Sequence, residues 1–301
     1  MANEFDLEIW LNSLTNDSIT SYKEIDEGVN GTVILHFGTT SCYITKTYRH
    51  LSDGLIRFNR EITFIRQIQE LCKSTIPSLI GSDEDNLIIC QEFIVGKKCA
   101  PNSAMIDEIL NFVDQVNSKS DFSSYPYRAA NSMFNLEDII NEIKVRFDEE
   151  RINVSATNIV YLNAIEEKFQ KLITSFNDLK NSQKFINEHF KLLLSPSDIG
   201  PHNMLDTDKG FKFIDFEFAG VDSNIKLGFD LIVHPDLHFL DFVTEEIKGR
   251  FQSLFGFKLN EMPELLCALF KIKWSLLVMK KSRRDSNQLG ESEKKFILDS
   301  M

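Results

Sequence analysis

The stretch LLLSPSDIGPHNMLDTDKGFKFIDFEFAG, residues 192–220, carries the groups that decide the fold. It places Asp198, Asn203 and Asp215 in one strand–loop–strand unit, with four residues between the first two and eleven between the last two. This spacing is typical of a phosphoryl-transfer site, in which one Asp accepts the proton of an acceptor hydroxyl. The Asn and the second Asp supply oxygen ligands to Mg²⁺, a hard cation that prefers oxygen. The unit therefore predicts Asp198 as a catalytic base and Asn203 and Asp215 as metal ligands.

Two predicted strands flank this loop. Residues 192–194 form a short apolar run that enters it, and residues 211–214 form a second run after the turn at 208–210. Asp and Asn are common in ordinary loops, so their spacing alone occurs often by chance. Because strand ends hold side chains rigidly, the flanking strands favour a phosphoryl-transfer site over a plain polar loop.

The first third of the chain is predicted to form a nucleotide-binding sheet. Residues 32–37 and 42–48 are rich in β-branched and aromatic residues and flank a Gly-Thr-Thr-Ser turn, which predicts a hairpin. Upstream, Gly28 and Gly31 would let the backbone approach phosphates closely, and a plain turn is an equal interpretation. Val33, which follows them, is a further candidate for contact with the nucleotide.

Lys46 lies inside the second strand of this hairpin, and the two-residue period places Ile44 on the same face. A lysine in such a strand usually marks a solvated face, whereas here we expect it to contact the α- and β-phosphates. That function requires a carboxylate partner on the following helix. Residues 55–72 have apolar residues at spacings of three and four, and Glu61 falls on their apolar face. Glu61 is therefore the predicted partner of Lys46.

Residues 86–96 are predicted to be a strand that runs into a glycine. In a two-lobed kinase this position presents backbone groups to the edge of the adenine ring. Glu92, Phe93 and Ile94 are therefore candidate nucleotide contacts. A buried strand followed by a turn is equally compatible with these residues.

A domain boundary is predicted near residue 96, where the chain changes from strands to helices. Residues 1–96 are expected to form an N-lobe that binds nucleotide, and residues 97–301 a C-lobe with the catalytic loop and the acceptor site. A chain of 301 residues suits two lobes, because single cores stop growing beyond about 250–300 residues. The helical segments predicted in the C-lobe are residues 105–116, 136–147, 157–176, 239–256 and 261–280.

The composition restricts the possible partners. A hydrophobic fraction of 43% is enough for a sizeable core, and a net charge of −12 disfavours nucleic acid and anionic membranes. We therefore expect a neutral or cationic small-molecule acceptor, no nucleic acid and no membrane partner. The pattern carries no indication of the oligomeric state.

Cysteine usage and the N-terminal segment favour a cytoplasmic protein. The five cysteines are scattered without metal-binding spacing, as expected for reduced thiols. Residues 1–11 lack the apolar run of a signal peptide, and no run of 18 apolar residues occurs.

Taken together, these residues resemble the aminoglycoside phosphotransferase and choline kinase group of small-molecule kinases, which share the protein-kinase-like fold. The resemblance spans residues 28–230, and its most specific parts are residues 198–203 and the segment IDFEFAG at 214–220. It implies an α+β, two-lobed fold with a small β-rich N-lobe and a larger, mostly helical C-lobe. It also implies that Glu217 is a secondary metal or substrate group. The group has His two positions before the catalytic Asp, whereas this chain has Pro196.

The resemblance implies an ATP-dependent phosphotransferase that moves the γ-phosphoryl group to a hydroxyl of a small molecule, with Mg²⁺ as cofactor. The loop SPSDIGPHN is similar to that of a subgroup associated with bacterial surface-polysaccharide gene clusters. Sugars and amino sugars therefore rank first among the expected acceptors, followed by amino alcohols.

Two alternatives stay open at this point. One is a pseudokinase that binds nucleotide or partners without turnover. The other is a protein kinase, which is disfavoured because only fourteen residues separate Asp215 from Asp230 and no Ala-Pro-Glu follows.

Overall fold

The computed structural model describes residues 6–26, 31–118, 122, 125–285 and 288–300. The chain forms two compact units that are each discontinuous in sequence. The first unit consists of residues 1–100, 111–130 and 196–220, and the second of residues 101–110, 131–195 and 221–301. The predicted lobe boundary at residue 96 stays a prediction. Within the ranges that the structure describes, no helix combines the length and apolar character that a membrane span requires.

The first unit contains a five-stranded antiparallel sheet in the order β1-β2-β3-β5-β4. Its strands are β1 (Ile19–Asp26), β2 (Thr32–Gly38), β3 (Cys42–Thr47), β4 (Leu79–Asp83) and β5 (Ile88–Glu92). The hairpin predicted over residues 32–48 is confirmed as β2 and β3. The strand predicted over residues 86–96 is shorter, because Leu87 has a left-handed backbone with φ of 53° and the ladder begins only after it.

Different helices cover the two faces of this sheet. The helix α1 (Leu7–Thr15) packs on one face and α2 (Gly54–Ile68) on the other. Between α1 and the sheet, a buried cluster joins Leu11 of the helix to Tyr43 and Cys90. Between α2 and the sheet, a second cluster joins Phe58 and Ile62 of the helix to Tyr48 and Ile89. Burial of each large apolar side chain contributes about 1.5–3 kcal/mol, so both helices are bound to the sheet by their apolar faces.

The helix α2 ends earlier than the predicted segment 55–72. The backbone N–H groups of Leu71 and Cys72 both bind the carbonyl oxygen of Ile68, at 2.9 and 2.8 Å, so the chain leaves the helix in tight turns. The apolar spacing continues through those turns, which is why the pattern extended the prediction by one helical turn.

Asp17 connects the end of α1 to the turn between β2 and β3. Its carboxylate accepts hydrogen bonds from the backbone N–H groups of Thr39, Thr40 and Ser41 at 3.0–3.3 Å. It also accepts from the hydroxyls of Thr39 at 2.5 Å, Thr40 at 2.9 Å and Tyr43 at 3.2 Å. The Thr39 hydroxyl contributes most to holding the pKa of Asp17 well below its usual range, and burial opposes that lowering.

We expect Asp17→Asn to lower the free energy of unfolding, because the donors of the turn lose a charged acceptor. Urea unfolding at pH 7 measures the loss. Because the pKa of the Asp17 carboxyl is lower in the folded than in the unfolded protein, Asp17 stabilises the fold at pH values above about 4, the ordinary pKa of Asp. This stabilisation is lost as the pH falls from there through the pKa of the folded protein. Asp6→Asn is the matched control, since Asp6 caps the start of α1 and Asn caps equally well. Equal losses in the two variants would contradict the prediction.

The second unit is mostly helical. Its helices are α4 (Leu136–Asn153), α5 (Ile159–Ile173), α6 (Phe176–His189), α7 (Asn224–Val233), α8 (Glu245–Phe255), α9 (Glu264–Asp285) and α10 (Glu291–Ser300), while α3 (Ser103–Asn117) is shared between the units. Asn102 caps the start of α3, since its Oδ1 accepts from Met105 N at 2.8 Å.

Two of the predicted helical segments are each divided in the structure. The segment 157–176 contains α5 and the first residue of α6, because Ser175 has an extended backbone, with φ of −81° and ψ of 93°, and a new helix begins after it. The segment 239–256 contains a 3-10 helical turn, Phe239–Phe242, followed by α8. The Thr244 hydroxyl accepts from Ile247 N at 3.2 Å and caps α8.

A buried charge cluster lies in the second unit and consists of Asp222, Lys226, Asp230 and Lys273. Lys226 Nζ lies 3.1 Å from Asp222 Oδ2 and 3.2 Å from Asp230 Oδ2, and Lys273 donates to Asp230. The Trp274 indole N–H also donates to Asp230, at 2.9 Å. Burial lowers the pKa of Lys273 to about 8, against the opposing charge of Asp230. Because all four side chains are buried, each charge depends on the others for compensation.

Candidate active site

The loop that contains Asp198 and Asn203 is carried by short strands. These strands are β6 (Lys97–Lys98), β7 (Leu192–Ser195), β8 (Met204–Thr207), β9 (Gly210–Phe213) and β10 (Gly220–Ser223). The strands β6, β8 and β9 form one sheet, in which Met204 lies opposite Phe213. This register places Asn203, just before β8, beside Ile214, just after β9.

Two hydrogen bonds join the loop to the segment after β9. The Asn203 side-chain amide donates to the carbonyl oxygen of Asp198 at 2.8 Å. The carbonyl oxygen of Asn203 accepts from Ile214 N at 3.0 Å, one residue before Asp215. One side-chain and one backbone hydrogen bond thus connect the segments that carry Asp198, Asn203 and Asp215.

Two residues of the site have strained backbones. Ser197, just before Asp198, has φ of 66°, and Asp215 has φ of 68°. A non-glycine residue in this left-handed region is unfavourable by about 1–3 kcal/mol and persists only where its surroundings impose it. Such residues concentrate at functional sites, so the strain supports a functional role for this segment.

Lys46 connects the sheet to the candidate site. Its Nζ lies 2.7 Å from Asp215 Oδ1 and 2.9 Å from Glu61 Oε1, so the ion pair that the sequence predicts is present. Burial alone would lower the pKa of Lys46, but the charges of Asp215 and Glu61 outweigh it and hold that pKa above its ordinary value. Lys46 therefore stays charged and bridges α2 to the predicted metal ligand.

Glu61 is fully buried and is held at both carboxylate oxygens. The Tyr48 hydroxyl donates to Oε2, while Lys46 binds Oε1. Phe216 N lies 3.5 Å from the same Oε1 atom. Burial first, and then the charge of Glu61, raises the pKa of Tyr48 well above its usual value, so its hydroxyl remains a donor.

Glu217 is also buried, with 1% of its side chain exposed. Its Oε1 lies 2.9 Å from the guanidinium of Arg57, which also binds Asp53 at 2.8 Å. Burial and then the charge of Asp215 raise the pKa of Glu217 above its usual range, while the charges of Lys46 and Arg57 favour its ionised form. The resemblance assigned Glu217 to metal or substrate, and the structure places it against an arginine of α2.

The candidate nucleotide contacts of the hairpin share one face of the sheet. Val33 lies opposite Lys46, and Ile44, two residues before Lys46, points to the same side. Gly31 has φ of 110°, and a side chain there would meet the carbonyl oxygen of Thr47 at 2.5 Å. Only glycine therefore fits at this position. Gly28 lies outside the described residues.

The other candidate contacts lie at the end of β5. The carboxylate of Glu92 accepts from the Ser78 hydroxyl at 2.9 Å, which ties it to the sheet edge. Phe93 N donates to the carbonyl oxygen of Cys42 at 3.2 Å. Ile94 is half-buried just after this hydrogen bond. Contact of these three residues with adenine stays a prediction.

Three residues of the site were not predicted from the sequence: His202, Tyr48 and Arg57. His202 Nε2 lies 3.3 Å from Asp198 Oδ2, and its position four residues after Asp198 was a usable signal. Arg57 precedes Glu61 by four residues, which places it on the same side of α2. The pairing of Arg57 with a residue 160 positions later had no local signal.

The donor set fits Mg²⁺ better than a transition metal. Within the described ranges, no group of three or more His, Cys, Asp and Glu side chains could hold a metal ion. Mg²⁺ is commonly bound by one or two protein oxygens together with waters and substrate phosphates. Asn203 and Asp215 meet that requirement: the nitrogen side of the Asn203 amide is engaged at Asp198, which leaves its oxygen as the atom suited to a cation.

This chain is similar to proteins of known structure. No protein-family model matches the sequence, and no curated protein matches it. The choline kinase of Cryptosporidium parvum is 15% identical and matches with a TM-score of 0.63 over 98% of this chain and 94% of that chain. The choline kinase LicA of Streptococcus pneumoniae is 16% identical, with a TM-score of 0.57 over 98% and 95%.

A third similar structure is the spectinomycin phosphotransferase solved with ADP and spectinomycin. It is 12% identical and matches with a TM-score of 0.59 over 97% of this chain and 93% of that chain. Identities this low show the fold alone. The structural matches confirm the predicted α+β architecture, with a five-stranded antiparallel sheet followed by a larger, mostly helical part. The chain therefore has the protein-kinase-like fold that these small-molecule kinases share.

Proposed function

We propose that this protein is an ATP-dependent phosphotransferase that moves a γ-phosphoryl group to a hydroxyl of a small molecule. The observation that carries the proposal is the bridge from Lys46 to both Glu61 and Asp215. In kinases of this fold, a strand lysine paired with a helix glutamate lies next to the metal-binding Asp, and both must be in place for turnover.

Each side chain has a chemical role in this proposal. Lys46 binds the α- and β-phosphates, and Glu61 fixes its direction. Asn203 and Asp215 hold Mg²⁺, which supplies positive charge against the phosphate oxygens. Asp198 accepts the proton of the attacking hydroxyl, with 34% of its side chain exposed and therefore accessible to an acceptor.

The nucleotide would lie against the sheet face that bears Val33 and Ile44, close to Gly31. The adenine ring would reach the end of β5 at Glu92, Phe93 and Ile94. These contacts are the ones that the two-lobed kinase arrangement requires, and the shared face of Val33, Ile44 and Lys46 supports them.

The acceptor is proposed to be neutral or cationic, because a net charge of −12 repels anionic molecules. Sugars and amino sugars rank first and amino alcohols second. Choline kinases and a spectinomycin phosphotransferase share the fold, which is compatible with hydroxyl acceptors of both chemical types.

An acceptor screen tests the proposal. Purified protein with ATP and Mg²⁺ is incubated with a panel of sugars, amino sugars and amino alcohols, and ADP release is followed together with the mass of the product. We expect one class of acceptor to give a product about 80 Da heavier than the acceptor, because a phosphoryl group replaces the hydroxyl proton. Tight ATP binding without any product across the panel would instead indicate a pseudokinase.

The pair of Lys46 and Glu61 gives a second prediction. Lys46→Ala should lower kcat by about 10²–10³-fold, because the phosphates lose a positioning charge, and the protein should still fold, with a lower melting temperature because the buried Glu61 loses a counter-charge. Glu61→Gln should have a smaller effect in the same direction. Lys97→Ala is the control, since Lys97 is an exposed strand lysine of the same unit. A collapse of the melting temperature in Lys46→Ala, without any change in nucleotide binding, would make Lys46 a structural residue.

A further inference from the structure

One side of α2 contacts the segment that follows Asp215 at three successive levels. Arg57 binds Glu217 at 2.9 Å, and Glu61 Oε1 lies 3.5 Å from Phe216 N. One turn further, the ring of Phe64 lies 4.9 Å from the ring of Phe216. Spacings of four and three residues place these helix side chains on one side, so this side of α2 contacts both Phe216 and Glu217.

Arg57 is itself held from more than one direction. Its Nε binds Asp53 at 2.8 Å, one helical turn earlier, and its guanidinium lies 5.0 Å above the ring of Phe218. The partner carboxylate of Glu217 is buried, and a buried charge needs a fixed partner to remain in place. A guanidinium oriented by Asp53 and Phe218 provides such a partner, because its planar fork has a defined direction.

We propose that Arg57 is a positioning residue for Asp215 and acts through Glu217. Asp215 has φ of 68°, a left-handed backbone that is uncommon outside glycine, and Glu217 is attached two residues further along the same segment. In this proposal Glu217 is an anchor for the backbone, in place of the metal or substrate role that the resemblance implies. The inference rests on the proposed function for Asp215 as the ligand of Mg²⁺.

Amide hydrogen exchange of the nucleotide-free protein tests the anchor without any need for activity. Peptides that cover residues 211–220 are compared in the wild type, Arg57→Ala, Glu217→Gln and the double variant. We expect both single variants to exchange faster in this segment, and the double variant to be no faster than either, because the two residues act as one unit. Arg66→Ala is the matched control, since Arg66 lies on the same helix and binds Glu84 and Ser82 at the surface.

The requirement for Mg²⁺ tests the consequence for the site. The Mg²⁺ concentration for half-maximal ATP binding should rise about 10–100-fold in Arg57→Ala and Glu217→Gln alike, as for other residues that orient metal ligands. The KM for the acceptor should stay within about twofold, since neither residue is proposed to contact the acceptor, and Arg57→Lys should recover part of the loss.

Two results would overturn the positioning role. A rise in the Mg²⁺ requirement in Glu217→Gln alone would mean that Glu217 contacts the metal directly. Unchanged exchange of residues 211–220 in both single variants would mean that the pair anchors nothing. A wild type that fails to bind ATP would count against the proposed function, while the exchange comparison would still decide whether the anchor exists. If Arg57→Ala does not fold, Arg57→Lys replaces it in both measurements.

Discussion

Asp198→Asn is expected to lose acceptor phosphorylation and to keep binding of ATP and Mg²⁺. Removal of a general base typically lowers turnover by about 10²–10⁴-fold, and an amide cannot accept the proton of the attacking hydroxyl. Nucleotide affinity should be little changed, because the Asp198 contact to Asn203 is made by the backbone carbonyl, which the substitution retains. Steady-state kinetics with a confirmed acceptor, together with ATP titration, separate the two effects.

Asp208→Asn is the matched control for this experiment. Asp208 is an exposed residue in the turn between β8 and β9, on the same local segment of chain. It should show wild-type turnover and wild-type nucleotide affinity. Near wild-type phosphorylation by Asp198→Asn would remove Asp198 from the role of base.

Asp215→Ala is expected to abolish the Mg²⁺-dependent thermal stabilisation that ATP gives to the wild type. A ligand at 100 times its Kd stabilises a protein by about 2.7 kcal/mol, so the shift in the wild type should be readily measured. The variant loses the carboxylate that is proposed to join the metal to the nucleotide, and Lys46 loses one of its two counter-charges. Thermal unfolding with ATP is recorded in the presence of Mg²⁺ and again in the presence of EDTA.

Asp215→Asn separates the charge from the backbone at this position. Asn tolerates a left-handed backbone better than most residues, so this variant keeps the geometry and removes the negative charge. We expect it to lose the Mg²⁺-dependent shift as Asp215→Ala does. Stabilisation by ATP and Mg²⁺ equal to that of the wild type in either variant would rule out the metal role.

Local patterns in the sequence predicted much of the fold. The β-branched residues around the Gly-Thr-Thr-Ser turn specified β2 and β3. Helix boundaries were less predictable. The predicted segment 157–176 runs through α5 to the first residue of α6, and the extended backbone of Ser175 divides it. The helices α1 and α7 were missed because a nine- or ten-residue helix gives too short a pattern.

In the candidate site too, features that depend on neighbouring residues were predictable, whereas contacts between residues far apart in the sequence were not. The spacing from Asp198 to Asn203, and the position of Glu61 on its helix, are short-range features that a sequence displays. The contact between Arg57 and Glu217 joins residues 160 positions apart, and many arginines are equally available to a distant carboxylate. Nothing in the local pattern of either residue identifies the other.

The buried charge cluster of the second unit has a consequence for how this sequence can change over generations. Replacement of one member leaves an uncompensated charge in the interior, which destabilises a protein by about 3–5 kcal/mol, a large part of a typical total stability. Replacement of all members by apolar residues of similar volume is often neutral. Asp222, Lys226, Asp230 and Lys273 are therefore expected to be inherited as a set. Relatives should keep all four or have exchanged them together, because the intermediates would seldom fold.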